Sequence, residues 1–266
     1  MAQFIDAFFD NSFEPRKDGD TVRDVIHQGD AFHVLGTLPA GCVQCCFVDP
    51  PYNYGIDYGG GAKDDLLEPG QYLQRMETLA RLCVQTLSPS GCLWFLVPEK
   101  WADDIGCMLT SLLPRRNRII WRETFGQYLE SRFPPGHRHL FWHVNDAAPF
   151  YTDDIRIVSQ RMIDGDKRAA GPRVPDDVWQ FPRLVGNAGE RIGKHPCQLP
   201  ECLLERVIRC ASQPGDVILD PMAGTGTTLR VAQRLGRRYI GIEQQPKYVE
   251  IIRKRLAASF QQPLFS

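Results

Sequence analysis

Apolar residues follow two alternating patterns along the chain. Short, almost unbroken apolar runs with the length of a buried strand occupy residues 43–48, 93–97 and 217–220. Between the first two runs, residues 71–87 carry apolar side chains at helical spacing, and Ser88-Pro89-Ser90-Gly91 is predicted to end that helix. The order of strand, helix and strand predicts a mostly parallel, doubly wound α/β sheet.

The same patterns predict the remaining elements. Further strands are expected at 22–26, 118–121, 140–144 and 239–242, and helices at 32–38, 101–113, 155–162, 203–211 and from Pro246 onward. Together these elements predict a single three-layer α/β domain over residues 1–266, which is long enough to build its own core.

Composition narrows the class of protein. Hydrophobic content of 43% and charged content of 24% are typical of a globular protein, and a net charge of −1 argues against a strongly basic nucleic-acid binder. Basic residues exceed acidic ones only after about residue 114, as expected if one face meets phosphate, although an alternation of solvated charges gives the same distribution. No membrane span or signal peptide is evident, so the cytoplasm is the expected location.

The chain contains nine cysteines, and Cys42-x-x-Cys45 has the spacing of half a zinc site. No second Cys-x-x-Cys or His pair completes such a site, and Cys45 lies in a predicted strand. An odd number of cysteines also fits reduced thiols better than a disulfide framework. We therefore expect free thiols and no metal.

The first candidate site is Asp49-Pro50-Pro51-Tyr52, which directly follows the strand predicted at residues 43–48. Proline cannot donate to a sheet ladder, so the strand should stop there, leaving a carboxylate and an aromatic ring at its carboxyl end. Open α/β sheets bind ligands at that end. The Asp49 carboxylate and the Pro50 carbonyl could accept the two N–H bonds of an exocyclic amine, while Tyr52 stacks on its ring. A surface turn with an incidental tyrosine is the alternative.

The second candidate site is a glycine-rich turn between a strand and a helix that is predicted to start near Thr228. Its residues are Asp220, Met222, Ala223, Gly224, Thr225, Gly226, Thr227 and Thr228. Glycine lets the backbone approach a ligand, and no lysine follows as in a Walker-type phosphate loop. About twenty residues later the next strand ends in Glu243, a residue type and position suited to accepting both ribose hydroxyls. That spacing fits NAD and S-adenosylmethionine alike.

The two motifs together resemble the DNA amino-methyltransferase family, over roughly residues 22–258. Because Asp49-Pro50-Pro51-Tyr52 precedes the glycine turn, the chain looks like the permuted beta subgroup. The resemblance implies a Rossmann-like methyltransferase sheet with S-adenosyl-L-methionine as the cofactor. It also implies a catalytic role for Asp49, Pro50, Pro51 and Tyr52. The chain departs from the family pattern at Met222, where phenylalanine is usual.

Three further residues are cofactor-binding candidates through the resemblance. Gly29-Asp30 is similar to the family's Gly-Asp, which approaches the adenine of the cofactor, although a helix N-cap at Asp30 is the commoner explanation. Lys194-His195-Pro196 is similar to a family segment that helps to hold the methionine end of the cofactor.

Three segments are candidates for contact with DNA or a flipped base. The loop at 53–61, rich in glycine and tyrosine, is expected to be a lid or a flexible connector. Arg132, Phe133, Arg138 and His139 are expected to contact phosphate or base, unless they form a solvated surface loop. Residues 145–194 are expected to be a target-recognition insert, or else a disordered or dimer-forming segment. This insert would present Lys167, Arg168, Arg173, Arg183 and Arg191 to DNA.

The resemblance implies a site-specific enzyme that flips adenine out of double-stranded DNA, near the nucleoid, and methylates its N6 atom. Cytosine N4 is the alternative target, although that subgroup more often has serine at the Asp49 position. An RNA or protein substrate and a non-catalytic DNA-binding relative remain open, whereas an NAD oxidoreductase is disfavoured because the turn lacks a third glycine. A homodimer and a cognate restriction endonuclease are possible partners.

Overall fold

The computed structural model describes residues 24–58, 61, 65–123, 130–168, 171–184, 190–192 and 197–259. Its strands are β1 (Val25–Gln28), β2 (Val43–Val48), β3 (Leu87–Pro98), β4 (Arg115–Arg122), β5 (His137–Val144), β6 (Val178–Gln180), β7 (Val217–Asp220) and β8 (Arg238–Glu243). Its α-helices are α1 (Ala31–Leu35), α2 (Pro69–Thr86), α3 (Ala102–Leu112), α4 (Gln160–Ile163), α5 (Glu201–Ala211), α6 (Thr227–Arg234) and α7 (Pro246–Ser259).

The eight strands form one sheet in the order β1-β8-β7-β2-β3-β5-β4-β6. Neighbouring strands are parallel except where β5 lies antiparallel between β3 and β4. Because β1, β8, β7 and β2 are adjacent and parallel, the residues that follow these four strands meet at one edge of the sheet. This edge therefore receives both motifs predicted to carry the chemistry.

Alternate residues of the central strands enter two separate cores, as a pleated sheet covered on both faces requires. On β3, Leu93 and Phe95 pack with helices α2 and α3, whereas Trp94 and Leu96 pack on the other face with helices α5 and α6. Trp94 stacks on Trp142 of β5 with ring centres 4.6 Å apart. The predicted three-layer, mostly parallel α/β fold is confirmed.

The helix predicted at 71–87 is present as α2, and it ends at Thr86, just before the stretch that was predicted to stop it. Residues 88–91 belong to β3, which begins directly after α2. The hydroxyl groups of Ser88 and Ser90 donate to the Gln44 carboxamide on β2 at 3.0 and 2.9 Å, and the Gln44 amide group donates to the Ser90 carbonyl at 2.7 Å. These contacts between distant residues override the local turn signal.

The prediction of one helix at 155–162 is wrong over most of that range. The chain instead forms a short 3₁₀ turn at Asp153–Ile155 and the single turn α4, and between them Ile157 makes an antiparallel bridge with Arg173. Further along the predicted insert, β6 joins the edge of the main sheet, where Trp179 is 5% exposed and packs in the core. The described part of this segment is thus attached to the sheet.

All nine cysteines have free thiols, and Cys45 and Cys46 are buried on β2. Within the described ranges, no helix is both long enough and apolar enough to cross a membrane.

Two helical glycines offer a matched test of packing. A Cβ atom on Gly106 of α3 would lie 2.7 Å from the Phe141 ring, whereas one on Gly70 of α2 meets nothing within 4 Å. We expect Gly106→Ala to destabilise the protein by about 1–3 kcal/mol through overpacking, despite the higher helix propensity of alanine. Gly70→Ala should be neutral or slightly stabilising. Urea unfolding of both variants measures the difference, and equal stabilities would contradict the packing argument.

Candidate active site

The turn after β2 is held rigidly by its neighbours. The Tyr52 hydroxyl donates to Oδ1 of Asp49 at 2.5 Å. The two carbonyl groups that follow Pro50 are also bonded, because the Tyr72 hydroxyl donates to Pro51 at 3.0 Å and the Trp101 indole donates to Tyr52 at 2.9 Å. These bonds fix the direction of the Asp49 carboxylate.

A buried ion pair lies against the same turn. Nε of Arg138 donates to the Glu123 carboxylate at 2.8 Å, and the two side chains are only 14% and 6% exposed. The guanidinium lies 4.9 Å from the centre of the Tyr52 ring, so it covers one face of that ring. Arg138 was expected in a DNA-facing loop, and the structure instead places it inside the protein behind the turn at 49–52. Any base that stacks on Tyr52 must use the other ring face.

Burial controls the charge of Asp49. Loss of water raises the pKa of this carboxyl to about 6, while the positive charge of Arg138 and the hydrogen bond from Tyr52 act in the opposite direction. The negative charge of Glu123 raises the pKa of Asp49 further. Asp49 is therefore charged above about pH 6 largely because its neighbours favour the ionised form.

The segment after Tyr52 is tied down rather than free. The Asp65 carboxylate accepts the backbone N–H groups of Asn53, Tyr54 and Ile56 at 2.9 to 3.1 Å. Asn53, in a left-handed conformation with φ of 61°, exchanges two hydrogen bonds with the backbone of Leu67. In the part that the structure describes, the predicted lid thus begins with an anchored stretch. The glycines at 59 and 60 lie outside the described residues.

The glycine turn after β7 needs its glycines. Gly224 and Gly226 have φ of 52° and 76°, and a Cβ atom on Gly226 would lie 2.9 Å from Ile252 of α7. Asp220 accepts the Met222 N–H at 3.0 Å, and burial raises its pKa to about 7. The turn therefore lets its backbone lie close to a ligand bound at this edge of the sheet.

Glu243 ends β8 opposite this turn. One carboxylate oxygen accepts the N–H of Gly224 at 2.9 Å and the other accepts the N–H of Gln245 at 2.7 Å. Burial raises its pKa, and these backbone hydrogen bonds oppose the rise. A fixed carboxylate at a strand end, beside a glycine turn, fits the ribose hydroxyls of a nucleoside cofactor.

Arg255 of α7 braces the turn from behind. Its guanidinium donates to the Thr225 carbonyl at 2.7 Å and lies 3.3 Å from the Thr227 hydroxyl. It also pairs with Glu201 at the start of α5. Sequence reasoning missed Arg255, Asp65 and Trp101, because no local pattern links them to partners that lie 9 to 54 residues away.

A cavity of about 600 Å³ joins the two motifs. This volume lies within the range of about 300–1,000 Å³ that is usual for small-molecule sites. The predicted site residues that line it are Asp30, Asp49, Pro50, Pro51, Tyr52, Asp220, Met222, Ala223, Gly224, Thr225, Thr227, Thr228 and Glu243. Gly226 supports the turn against Ile252, and Lys194 and His195 lie outside the described residues. Asp30 also caps α1 by accepting the N–H groups of Phe32 and His33.

His139 was expected to contact DNA, but its side chain is buried at 4% exposure. Its ring bonds the Glu99 carboxylate, and its Nδ1 accepts from Nε of Arg118 at 3.0 Å. The expectation of direct contact is therefore wrong for the observed position of His139. His137 joins the same group, 3.4 Å from Glu99. In this arrangement Nε2 of His139 must carry the proton, and the nearby Arg118 charge further disfavours a cation.

The other predicted DNA-binding residues lie on the surface. Arg132 and Lys167 are exposed, and the Phe133 side chain is 98% exposed. Arg168 and Arg173 are also exposed, and each pairs with an aspartate of its own segment, at 3.2 and 3.0 Å. These positions leave all five side chains accessible to a large ligand.

The sheet, the glycine turn and the acid at the next strand end define a Rossmann-like protein with a site for a nucleoside cofactor. A family model described as DNA methylase, of the N6/N4 methyltransferase type, matches residues 43–254. The chain belongs to this family and is a DNA methyltransferase that uses S-adenosyl-L-methionine. The cavity fits this cofactor, because Glu243, Asp220 and the backbone of the glycine turn all border it.

Individual relatives agree with this assignment. DNA adenine methyltransferase YhdJ of Escherichia coli K12 is 32% identical over 258 residues, which cover 91% of this chain and 85% of that protein. The TTHA0409 structure from Thermus thermophilus, in complex with S-adenosyl-L-methionine, is 26% identical with a TM-score of 0.61 and covers 91% and 97% of the two chains. The PvuII cytosine-N4-specific methyltransferase, 16% identical with a TM-score of 0.61, shares the fold and covers 91% and 87%.

The raised pKa of Asp220 gives a stability test. Because its folded pKa of about 7 exceeds its ordinary value of 3.8, the folded state binds more protons, and stability is lost as pH rises between these values. Asp220→Asn removes this loss and keeps an oxygen for the Met222 N–H. We expect the free energy of unfolding of the variant, minus that of the wild type, to increase with pH by up to about 1.4 kcal/mol per pH unit in this window. Urea unfolding at several pH values measures this change, and a constant difference would contradict it.

Proposed function

We propose that the protein methylates N6 of adenine bases flipped out of double-stranded DNA. The observation that carries this proposal is the position of Asp49 at the wall of a cavity shared with the glycine turn, with Oδ1 held by Tyr52. An aromatic amine is a poor nucleophile because its lone pair is conjugated into the ring. Two acceptors on a rigid turn can hold such an amine in a geometry that frees the lone pair.

In this proposal the Asp49 carboxylate and the Pro50 carbonyl accept the two N–H bonds of the amine. S-adenosyl-L-methionine, when bound, would supply a methyl group on a sulfonium, and the carbon–sulfur bonding electrons would stay on sulfur when the amine nitrogen takes the methyl. The product nitrogen then carries a positive charge and loses one proton, which the Asp49 carboxylate can accept and pass to water. Tyr52 contacts the base through the ring face that Arg138 leaves uncovered.

Adenine is favoured over cytosine on two grounds. Asp49 occupies a position where the cytosine subgroup more often has serine, and a relative at 32% identity is named a DNA adenine methyltransferase. Cytosine N4 presents the same amine chemistry and is the second candidate, supported by the fold shared with a cytosine-N4-specific enzyme.

The recognition of DNA is assigned to two exposed segments. The loop at 130–136 lies beside the catalytic turn, because the charge of Arg132 acts on the phenol of Tyr54, which stands edge-on to Tyr52 at 6.2 Å. The segment at 145–194 presents Lys167, Arg168 and Arg173, and the aspartate partners of the two arginines can be exchanged for phosphate. Relatives named Type II methyltransferases support a recognition site shared with a restriction endonuclease.

The first test identifies the product. Purified protein, labelled S-adenosyl-L-methionine and unmethylated mixed-sequence DNA should yield N6-methyladenine after digestion to nucleosides. Asp49→Asn should lower transfer by about a hundredfold or more, since the carboxamide presents a weaker acceptor in the transition state. Calorimetry should show that it still binds the cofactor. N4-methylcytosine as the product would favour the second candidate, and full activity of Asp49→Asn would contradict the role of Asp49.

Phe133 is expected to insert into the DNA where the target base leaves the stack. A fully exposed phenylalanine beside the catalytic turn can fill this gap and recover part of the unstacking cost. Phe133→Ala should lower kcat/KM for DNA about tenfold or more, as expected from loss of about 1–3 kcal/mol of stacking. Phe133→Trp should retain activity.

Phe150 provides the control for this variant. It is also an exposed phenylalanine, but its ring packs edge-on against Trp142 on another part of the sheet. Phe150→Ala should affect kcat/KM for DNA much less than Phe133→Ala. Equal losses in the two variants, or unchanged activity of Phe133→Ala, would exclude insertion by Phe133.

A further inference from the structure

Arg138 connects the catalytic turn to a buried acid at the end of a neighbouring strand. It lies near the start of β5, where its backbone pairs with Pro98 of β3 and with Trp121 of β4. Its side chain extends between the Glu123 carboxylate, 2.8 Å from Nε, and the ring of Tyr52. Arg183 also approaches Glu123, at 3.7 Å. The backbone ladder and the ion pair thus fix a positive charge beside the turn.

The position of this charge matters for the two oxygens of Asp49. The Tyr52 hydroxyl donates to Oδ1, so Oδ2 is the oxygen that can accept a hydrogen bond from the amine. Only an ionised carboxylate can accept at both oxygens, because a protonated one would donate from its hydroxyl. Burial raises the pKa of Asp49, and the charge of Arg138 is the largest influence that lowers it again.

We propose that Arg138 is a positioning residue that keeps the partly buried Asp49 carboxylate ionised and bound to Tyr52, with Oδ2 directed to the target amine. This inference rests on the role proposed above for Asp49. Glu123 serves in the same arrangement as the counter-charge that holds the guanidinium against Tyr52. Neither Arg138 nor Glu123 needs to touch the substrate for this role.

The other ionisable groups around Asp49 do not replace Arg138. The other ionisable neighbours of Asp49 lie on its own turn, on α2, at the ends of β4 and β7, and at positions 58 and 197. They are Tyr52, Tyr72, Glu123, Asp220, Tyr58 and Cys197. Each of these side chains is neutral when protonated and negative when deprotonated, so none of them supplies a positive charge. Among the described residues, Arg138 is the cation that lowers the pKa of Asp49.

The test measures single-turnover methyl transfer against pH at saturating DNA and cofactor, for wild type, Arg138→Lys and Arg138→Met. Wild-type activity should rise with pH through about pH 6. In Arg138→Met this rise should move to higher pH by about one unit or more, since an opposite charge at this range shifts a carboxyl by one to three units. Activity should therefore fall about fivefold or more at the wild-type midpoint and recover in alkaline buffer. Arg138→Lys, which keeps the charge, should shift the profile less.

Arg116 provides a matched control. Its guanidinium also lies over an aromatic ring, 4.8 Å from the centre of Trp142, and it donates to the carbonyls of Ala148 and Pro149. Arg116→Met should leave the pH profile in place. Cofactor affinity from calorimetry verifies the fold of every variant, and Glu123→Gln/Arg138→Met, which removes both charges, replaces Arg138→Met if the latter does not fold.

The outcomes separate this inference from the proposal on which it rests. An unmoved profile for Arg138→Met, with activity either unchanged or lowered equally at all pH values, would overturn the role of Arg138. If Asp49→Asn retains full transfer in the same assay, the proposed role of Asp49 fails first. Loss of activity in Asp49→Asn together with a shifted profile in Arg138→Met supports both.

Discussion

Four parallel strands that end side by side impose the constraint on which this site depends. The residues that follow β1, β2, β7 and β8 must therefore all lie at one edge of the sheet. Asp30, Asp49, Asp220 and Glu243 therefore share a single cavity, although they are separated by up to about two hundred residues in sequence. Burial of several carboxylates together is costly, and it raises the pKa of the last three.

The rest of the site offsets this cost in two ways. Glu243 and Asp220 accept backbone N–H groups from the glycine turn, which is possible because glycine allows the turn to close on them. No glycine turn donates to Asp49, and its ionised carboxylate is stabilised by the Tyr52 hydroxyl and the Arg138 guanidinium. The guanidinium comes from β5, which runs antiparallel to its neighbours and so brings its beginning to the edge where they end. Reversal of one strand thus supplies a cation to an otherwise acidic edge.

Sequence patterns predicted the fold and both motifs because their signals are local. Proline after an apolar run marks where β2 stops, and two glycines before an amphipathic run mark the turn before α6. Arg138 and His139 were misplaced since cations beside a Pro-Pro-Gly segment look like a surface loop. Their partners Glu123 and Glu99 lie 15 and 40 residues away in sequence. The start of β3 at residues 88–91 was missed for the same reason, because Gln44, the partner of Ser88, is 44 residues distant.

Arg255 lies close to the end of the chain, so it is synthesised after the glycine turn that it holds. Because a protein is synthesised from its amino terminus, β2 and the catalytic turn emerge from the ribosome long before the glycine turn and its brace on α7. Until Arg255 has emerged, the carbonyl and hydroxyl groups of the turn lack the guanidinium that holds them. A growing chain should therefore contain the turn at 49–52 well before the glycine turn of the cofactor site can be braced by Arg255.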